Sequence, residues 1–175
     1  MIAYVTSNPG KAREAREYFE DVEQVDYDYP ELQAADPTTI AADGAERAHA
    51  ELDRPVLVDD AGLFVDGLDG FPGPYSSYVE ETIGVEAVWE LARDLDDRSA
   101  AFRVALAYAD GSGVETFTGA VPGRIVAPRG EGGFGFDPIF EHDGRTFAEL
   151  SVEEKNALSH RGRALAKFAD WYASR

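Results

Sequence analysis

Four short stretches carry residues whose types and order suit chemistry on a charged ligand. TSNPGK, residues 6–11, follows an apolar run and sets Asn8 before Pro9, the pattern that opens a helix. The first N–H groups of a helix have no partner within it and lie at the positive end of its dipole, so they suit a phosphate. Lys11 adds a full charge there. The stretch is not a P-loop, because G-x-x-x-x-G-K-[ST] is absent, and taken alone it is an ordinary capped helix. VDDAGL, 58–63, places Asp59 and Asp60 at the end of a short buried strand. Strand alternation sends the two carboxylates to opposite faces, so one of them enters a given cleft, where it can bind Mg²⁺ or activate water. In so acidic a chain the pair by itself equally reads as solvated charge.

GGFGFDP, 132–138, spaces Phe134 and Phe136 around Gly135 and follows them with Asp137. Glycine permits close backbone approach, an aromatic ring can stack on a flat base, and a carboxylate can accept from ring N–H groups. A turn with two core aromatics is the plainer alternative. KNALSHR, 155–161, gathers Lys155, His160 and Arg161. Of the 16 cationic side chains only Lys11, Lys155 and Lys167 are lysines. Two of the three fall inside candidate stretches of a chain that otherwise avoids lysine, which favours a functional reading over a solvated helix face.

These stretches need elements to position them. The apolar run Ile2–Val5 predicts a first strand, and the Asn8-Pro9 signal a helix over 9–19. A strand over 22–27 follows. Asp36-Pro37 opens a second helix that ends before Pro55, and residues 55–60 form a strand ending in the two carboxylates. Residues 62–77, rich in glycine and proline, read as turns with a short extended piece. Helical spacing recurs over 85–95. Two long strands, 100–109 and 114–126, are joined by a tight turn at Asp110–Gly113. Residues 130–138 form a glycine-rich loop. Ser151 with Glu154 makes a capping box that opens a helical region to residue 172, with a possible second start at Ser159. The expected class is α/β with a mixed sheet.

The 175 residues suffice for one domain with a proper core, and a hydrophobic content of 44% argues for a folded globule. The formal net charge of −18 is dispersed along the chain, as in a salt-adapted surface of a halophile, and argues against a nucleic-acid partner. No apolar run reaches membrane-spanning length, so no membrane role is expected. No cysteine is present, which excludes disulfides and thiolate chemistry. The first residues show no basic flank or cleavage pattern, and a cytoplasmic location is expected.

Together and in this order, TSNPGK, PVLVDDAGLFVDGLDGFPGPYS, GRIVAPRG, GGFGFDPIF and FAEL with EEKNALSHRGRAL resemble the inosine triphosphate/xanthosine triphosphate pyrophosphatase family over nearly the whole chain. The resemblance implies a single elongated α/β domain over 1–175, its mixed twisted sheet and flanking helices forming two lobes around a central cleft. It further implies a homodimer acting on a nucleotide substrate. The implied reaction is Mg²⁺-dependent hydrolysis of ITP, dITP and XTP, in preference to ATP and GTP, to the monophosphate and pyrophosphate. Thr6, Ser7, Asn8, Pro9, Gly10 and Lys11 would cradle the triphosphate. Asp60 would bind metal and act as general base, with Glu31 as the second metal carboxylate. Phe134, Gly135, Phe136 and Asp137 would hold base and sugar, and Lys155, His160 and Arg161 would read the purine. Ala61 stands where many relatives carry Ser or Thr next to the substrate. Phe136 replaces a more usual Tyr or Trp, and Gly44 stands where some relatives carry a lysine. The alternatives are a pyrophosphatase for modified pyrimidine nucleotides and a catalytically silent nucleotide-binding protein.

Overall fold

The run Ile2–Val5 forms strand β1, with all four residues buried. In the computed structural model, which describes residues 1–19 and 21–175, it lies between two parallel neighbours. Ile2 pairs with Val22 of β2 (Val22–Val25), and Ala3 with Val56 of β3 (Val56–Val65). Between them run helices α1 (Pro9–Arg16) and α2 (Pro37–Leu52). Both open as their caps require. The Asn8 side chain accepts from the Gly10 N–H, and the Asp36 side chain accepts from the Thr38 N–H.

Further along, β4 (Pro72–Gly73) pairs antiparallel with the far end of β3. Helices α3 (Ser76–Thr82) and α4 (Val85–Ala92) follow, then strands β5 (Ser99–Asp110) and β6 (Gly113–Ile125). A small hairpin of β7 (Phe140–His142) and β8 (Arg145–Thr146) extends β6 antiparallel. Helices α5 (Val152–Leu158) and α6 (His160–Ala173) complete the chain. Among the described residues the strands form one mixed sheet in the order β2-β1-β3-β5-β6-β7-β8, with β4 on β3. None of the described helices is long and apolar enough to cross a membrane.

The chain divides into two compact units. The first comprises Met1–Asp60, Val104–Gly119 and Arg161–Arg175. Its core is built from small residues. Ala41, Ala45 and Ala48 on one stripe of α2 pack with Ala3, Val5, Val56, Val58, Ala105, Ala107 and Ala109 of the strands. Phe168 of α6 is fully buried and lies in ring contact with Tyr108 at 5.2 Å. The second unit comprises Ala61–Arg103 and Ala120–His160. Its core is larger-grained: Leu63, Val88, Ile125, Ile139, Phe136, Phe140 and Phe147 cluster together. Each fully buried side chain of this size contributes about 1.5–3 kcal/mol by leaving water.

The structure corrects five sequence expectations. Helix α1 stops at Arg16 rather than 19, and β2 at Val25 rather than 27. Strand β3 does not end at the carboxylates but runs on through Ala61 to Val65, so Asp59 and Asp60 lie mid-strand. Within the turn-rich segment, α3 begins at Ser76 with no side-chain cap to announce it. The β7–β8 hairpin replaces a stretch that had no assigned element. By contrast, Ser151 and Glu154 form both halves of the expected capping box, and Ser159 does break the last helical region in two.

Candidate active site

Alternation along β3 places the neighbouring carboxylates differently, and Asp59 is the one enclosed by donors. In the first unit, α1 delivers Lys11, whose ammonium lies 3.1 and 3.0 Å from the two oxygens of Asp59. The hydroxyl of Tyr4, from β1, donates to Asp59 Oδ1 at 2.8 Å. Arg161, at the start of α6, donates from Nε to Asp59 Oδ2 at 3.2 Å and from Nη1 to Glu14 at 3.2 Å. Glu14 is three residues beyond Lys11, on the same face of α1. Two cations and two anions thus form one network around a carboxylate whose side chain is 1% exposed.

Burial alone would push the Asp59 carboxyl up. The charges of Lys11 and Arg161 and the hydrogen bonds from Tyr4 and Lys11 outweigh it and hold the group well below the usual carboxylate range. Burial, joined by the charge of Asp59, likewise raises the Tyr4 phenol, which stays a donor. Asp59 is therefore a fixed anion with little basicity, which suits holding Lys11 in place rather than taking up a proton.

The segment before α1 is held by its own side chains. Thr6 Oγ1 accepts from the Asn8 N–H at 3.1 Å, and Asn8 Oδ1 from the Gly10 N–H at 2.8 Å. Ser7, Pro9 and Gly10 are exposed. Asp60, next along β3, is buried. Glu31 is exposed in the segment between β2 and α2. Tyr29, half-buried in the same segment, senses both. Burial first, then the charges of Glu31, Asp59, Asp60 and Asp43, push its phenol up to about 12. The Tyr29 hydroxyl fills the space above Gly44, where a Cβ would meet it at 2.3 Å. Carboxylate oxygens are the donor set that Mg²⁺ prefers, and that ion keeps several waters and takes phosphate oxygens besides. Asp60 and Glu31 fit such a partial set. Among the described residues no three His, Asp or Glu side chains gather into a self-sufficient metal site.

In the second unit, the glycine-rich loop folds onto Asp137. This nearly buried carboxylate accepts from the Phe134 N–H at 2.8 Å and pairs with the Lys155 ammonium from α5. Gly133 has φ +73°, and a Cβ there would lie 2.1 Å from Asp137 Oδ2, so glycine is required for the loop to close on the carboxylate. Lys155 also stands 4.0 Å from the ring centre of Phe134. The two phenylalanines part company. Phe134 is 67% exposed, whereas Phe136 is 3% exposed and belongs to the core, so its expected role beside a base does not fit its burial. Gly135 is partly exposed beside Glu80, and Ala61 is partly exposed on β3. His160 stacks on Phe102 at 5.4 Å and 12°.

The cations of KNALSHR are thus dispersed: Lys155 goes to Asp137, Arg161 to Asp59 and Glu14, and Arg163 is exposed. Lys167 donates to the Thr118 carbonyl at 2.6 Å. Sequence reasoning missed Tyr4, Glu14 and Tyr29. Only Glu14 carried a readable signal, its helical spacing from Lys11.

A profile of the Ham1 family matches residues 2–171. A protein of Thermococcus kodakarensis named dITP/XTP pyrophosphatase is 51% identical over 177 residues, which cover 97% of this chain and 96% of that one. One of the same name from Methanopyrus kandleri is 49% identical over 179 residues, covering 98% and 95%. Among solved structures, the Ham1 protein of Staphylococcus aureus superimposes with a TM-score of 0.90 at 28% identity, covering 99% of this chain and 98% of that one. A HAM1 protein from Coxiella burnetii gives 0.89 at 30% identity, with the same coverage.

Proposed function

The chain belongs to the Ham1 family, and on that premise we propose that it is a pyrophosphatase acting on non-standard purine nucleoside triphosphates. ITP, dITP and XTP are hydrolysed to the monophosphate and pyrophosphate, which removes them from the nucleotide pool. The observation that carries the mechanism is the division between adjacent carboxylates: Asp59 saturated by Lys11, Tyr4 and Arg161, and Asp60 beside it on β3.

In this reading the segment 6–11 and the remaining Lys11 donor capacity hold the triphosphate. Lys11 has three N–H groups, so anchoring on Asp59 leaves it able to donate to an anion. Asp60 takes the proton from the water that attacks the anhydride between the α and β phosphates. Its neighbour is a poor base because its lone pairs are committed. Asp60 and Glu31 would hold Mg²⁺, which would supply positive charge to offset that of the phosphates. The exposed ring of Phe134 offers a stacking surface for the base. Lys155, fixed on Asp137, supplies a donor for a 6-oxo group, which adenine with its 6-amino group would leave unpaired. His160 and Arg161 then act mainly by shaping this end of α6.

The 175 residues work as one catalytic domain in the cytoplasm, and as a homodimer. The exposed Phe71, Tyr75, Tyr78 and Ile83 support association of the second unit. A net charge of −18 supports a salt-adapted protein, so the assay belongs in molar KCl. Purified protein with Mg²⁺ is given ITP, XTP, dITP, GTP or dTTP, and pyrophosphate and orthophosphate are measured separately. Pyrophosphate with IMP from ITP, and little product from GTP or dTTP, is expected. Orthophosphate alone would mean cleavage at the γ position. Binding without product would mean a silent nucleotide-binding protein.

A further inference from the structure

We propose that the Tyr29 hydroxyl donates a hydrogen bond to the phosphate chain of the bound nucleotide, and that residue 44 is glycine because that hydroxyl occupies the space a side chain would fill. The inference deepens the reading above and rests on it for the identity of the ligand.

Gly44 lies in the middle of α2, and its backbone does not need glycine: its φ is not among the positive ones. Glycine is a poor residue for a helix interior, and its neighbours on the same buried stripe, Ala41, Ala45 and Ala48, are the best. The exception has a local cause. A Cβ at 44 would lie 2.3 Å from the Tyr29 hydroxyl, 2.9 Å from Cζ and 3.2 Å from Cε2. The ring that carries the hydroxyl is held by Tyr27, with centroids 5.8 Å apart and planes 22° apart. The fold therefore brings a stacked ring over a helix backbone at a position that sacrifices helix propensity.

What the hydroxyl does there follows from its surroundings. Glu31, Asp43, Asp59 and Asp60 all act on it through their charges. Asp59 is already saturated by three donors. A phenol brings a donor without charge. It can meet a phosphate oxygen without neutralising Asp60 or Glu31, whereas an ammonium at the same place would compete for those carboxylates. Tyr29 is thus a substrate-binding residue whose contact forms when the phosphates arrive.

The test removes only the hydroxyl. Calorimetry with Mg²⁺ and inorganic tripolyphosphate, a ligand that reports the phosphate contact without a base, should show at least tenfold weaker binding for Tyr29→Phe at unchanged thermal midpoint. kcat/KM for ITP should fall at least tenfold. Gly44→Ala should act in the same direction, because its methyl displaces the hydroxyl. In the Tyr29→Phe background the alanine should add less than threefold, since the contact it disturbs is already gone. Tripolyphosphate affinity and kcat/KM within twofold of the parent in Tyr29→Phe would overturn the inference. If Tyr29→Phe does not fold, Gly44→Ala decides alone, and parental affinity there overturns it. Failure of the parent protein to release pyrophosphate from ITP would instead overturn the reaction, while the tripolyphosphate comparison would still judge Tyr29.

Discussion

Arg161 and Asp59 are 102 positions apart in the chain and joined by a hydrogen bond of 3.2 Å inside the first unit. With Lys11 on the same carboxylate, this contact ties the last helix and the first helix to the middle of β3. Because the folded Asp59 carboxyl sits well below its ordinary value near 3.8, the unfolded chain binds a proton there that the folded chain does not. Stability from this group is fully present above about pH 5 and is lost as pH falls through 3.8 toward the folded value. We expect Asp59→Asn, which leaves Lys11 and Arg161 facing a neutral amide, to lose about 3–5 kcal/mol at pH 7. Urea midpoints at a series of pH values should show the gap between variant and parent closing below pH 4. A gap that stays constant down to pH 3 would refute the network's role as a buried charge pair.

Phe134 and Phe136 should respond oppositely to truncation. Phe136→Ala empties a core position and should cost about 3–5 kcal/mol of stability. Phe134→Ala removes an exposed ring and its contact with Lys155, and should stay within about 1 kcal/mol of the parent. Its kcat/KM for ITP should nevertheless fall about tenfold or more, the scale of one lost stacking contact. Thermal and kinetic measurements on the two variants check both halves. Equal stability losses would mean that the loop is packed differently.

Lys155→Ala should lower kcat/KM for ITP by about 10²-fold. It also strips the nearly buried Asp137 of its cation, with a stability loss of about 1–3 kcal/mol. Denaturation and steady-state kinetics on the same preparation separate the two effects. A kinetic loss under threefold with the fold intact would remove Lys155 from recognition of the purine.

Asp60→Asn should abolish pyrophosphate release and still bind ITP. Calorimetry detects the binding, and a pyrophosphate assay the lost turnover. Retained hydrolysis would take Asp60 out of both the base and the metal roles.

Much of this was legible because it is written locally. Asn8, Asp36 and Ser151 each sit one residue before the helix they cap, and their side chains bond within three residues of themselves. The turn at Asp110 behaves likewise, its carboxylate accepting from the Ser112 N–H at 2.9 Å. The α3 start at Tyr75 carries no such signal, because no side chain caps it. The β7–β8 hairpin did carry one, the Asp143-Gly144 pair, both with positive φ as a tight hairpin turn demands. The continuation of β3 past Asp60 was hidden by Gly62, whose lack of a side chain reads as a turn. In the fold it admits the Gly73 carbonyl, which would lie 2.0 Å from a Cβ. Of the candidate site, the participating segments were readable but their partners were not. Nothing in a linear sequence announces that Tyr29 covers Gly44, or that Arg161 reaches Asp59. Those pairings are decided by which strands lie side by side.

Each lysine ammonium in this chain has an acceptor: Lys11 on Asp59, Lys155 on Asp137, and Lys167 on the Thr118 carbonyl. Amine-acylating reagents will therefore meet side chains that must first let go. The rate at which these lysines are modified becomes a clock for local opening rather than a gauge of surface area. On the proposed reading, in which Lys11 and Lys155 bind the substrate and Lys167 does not, nucleotide should slow that clock at the first two and leave the third unchanged.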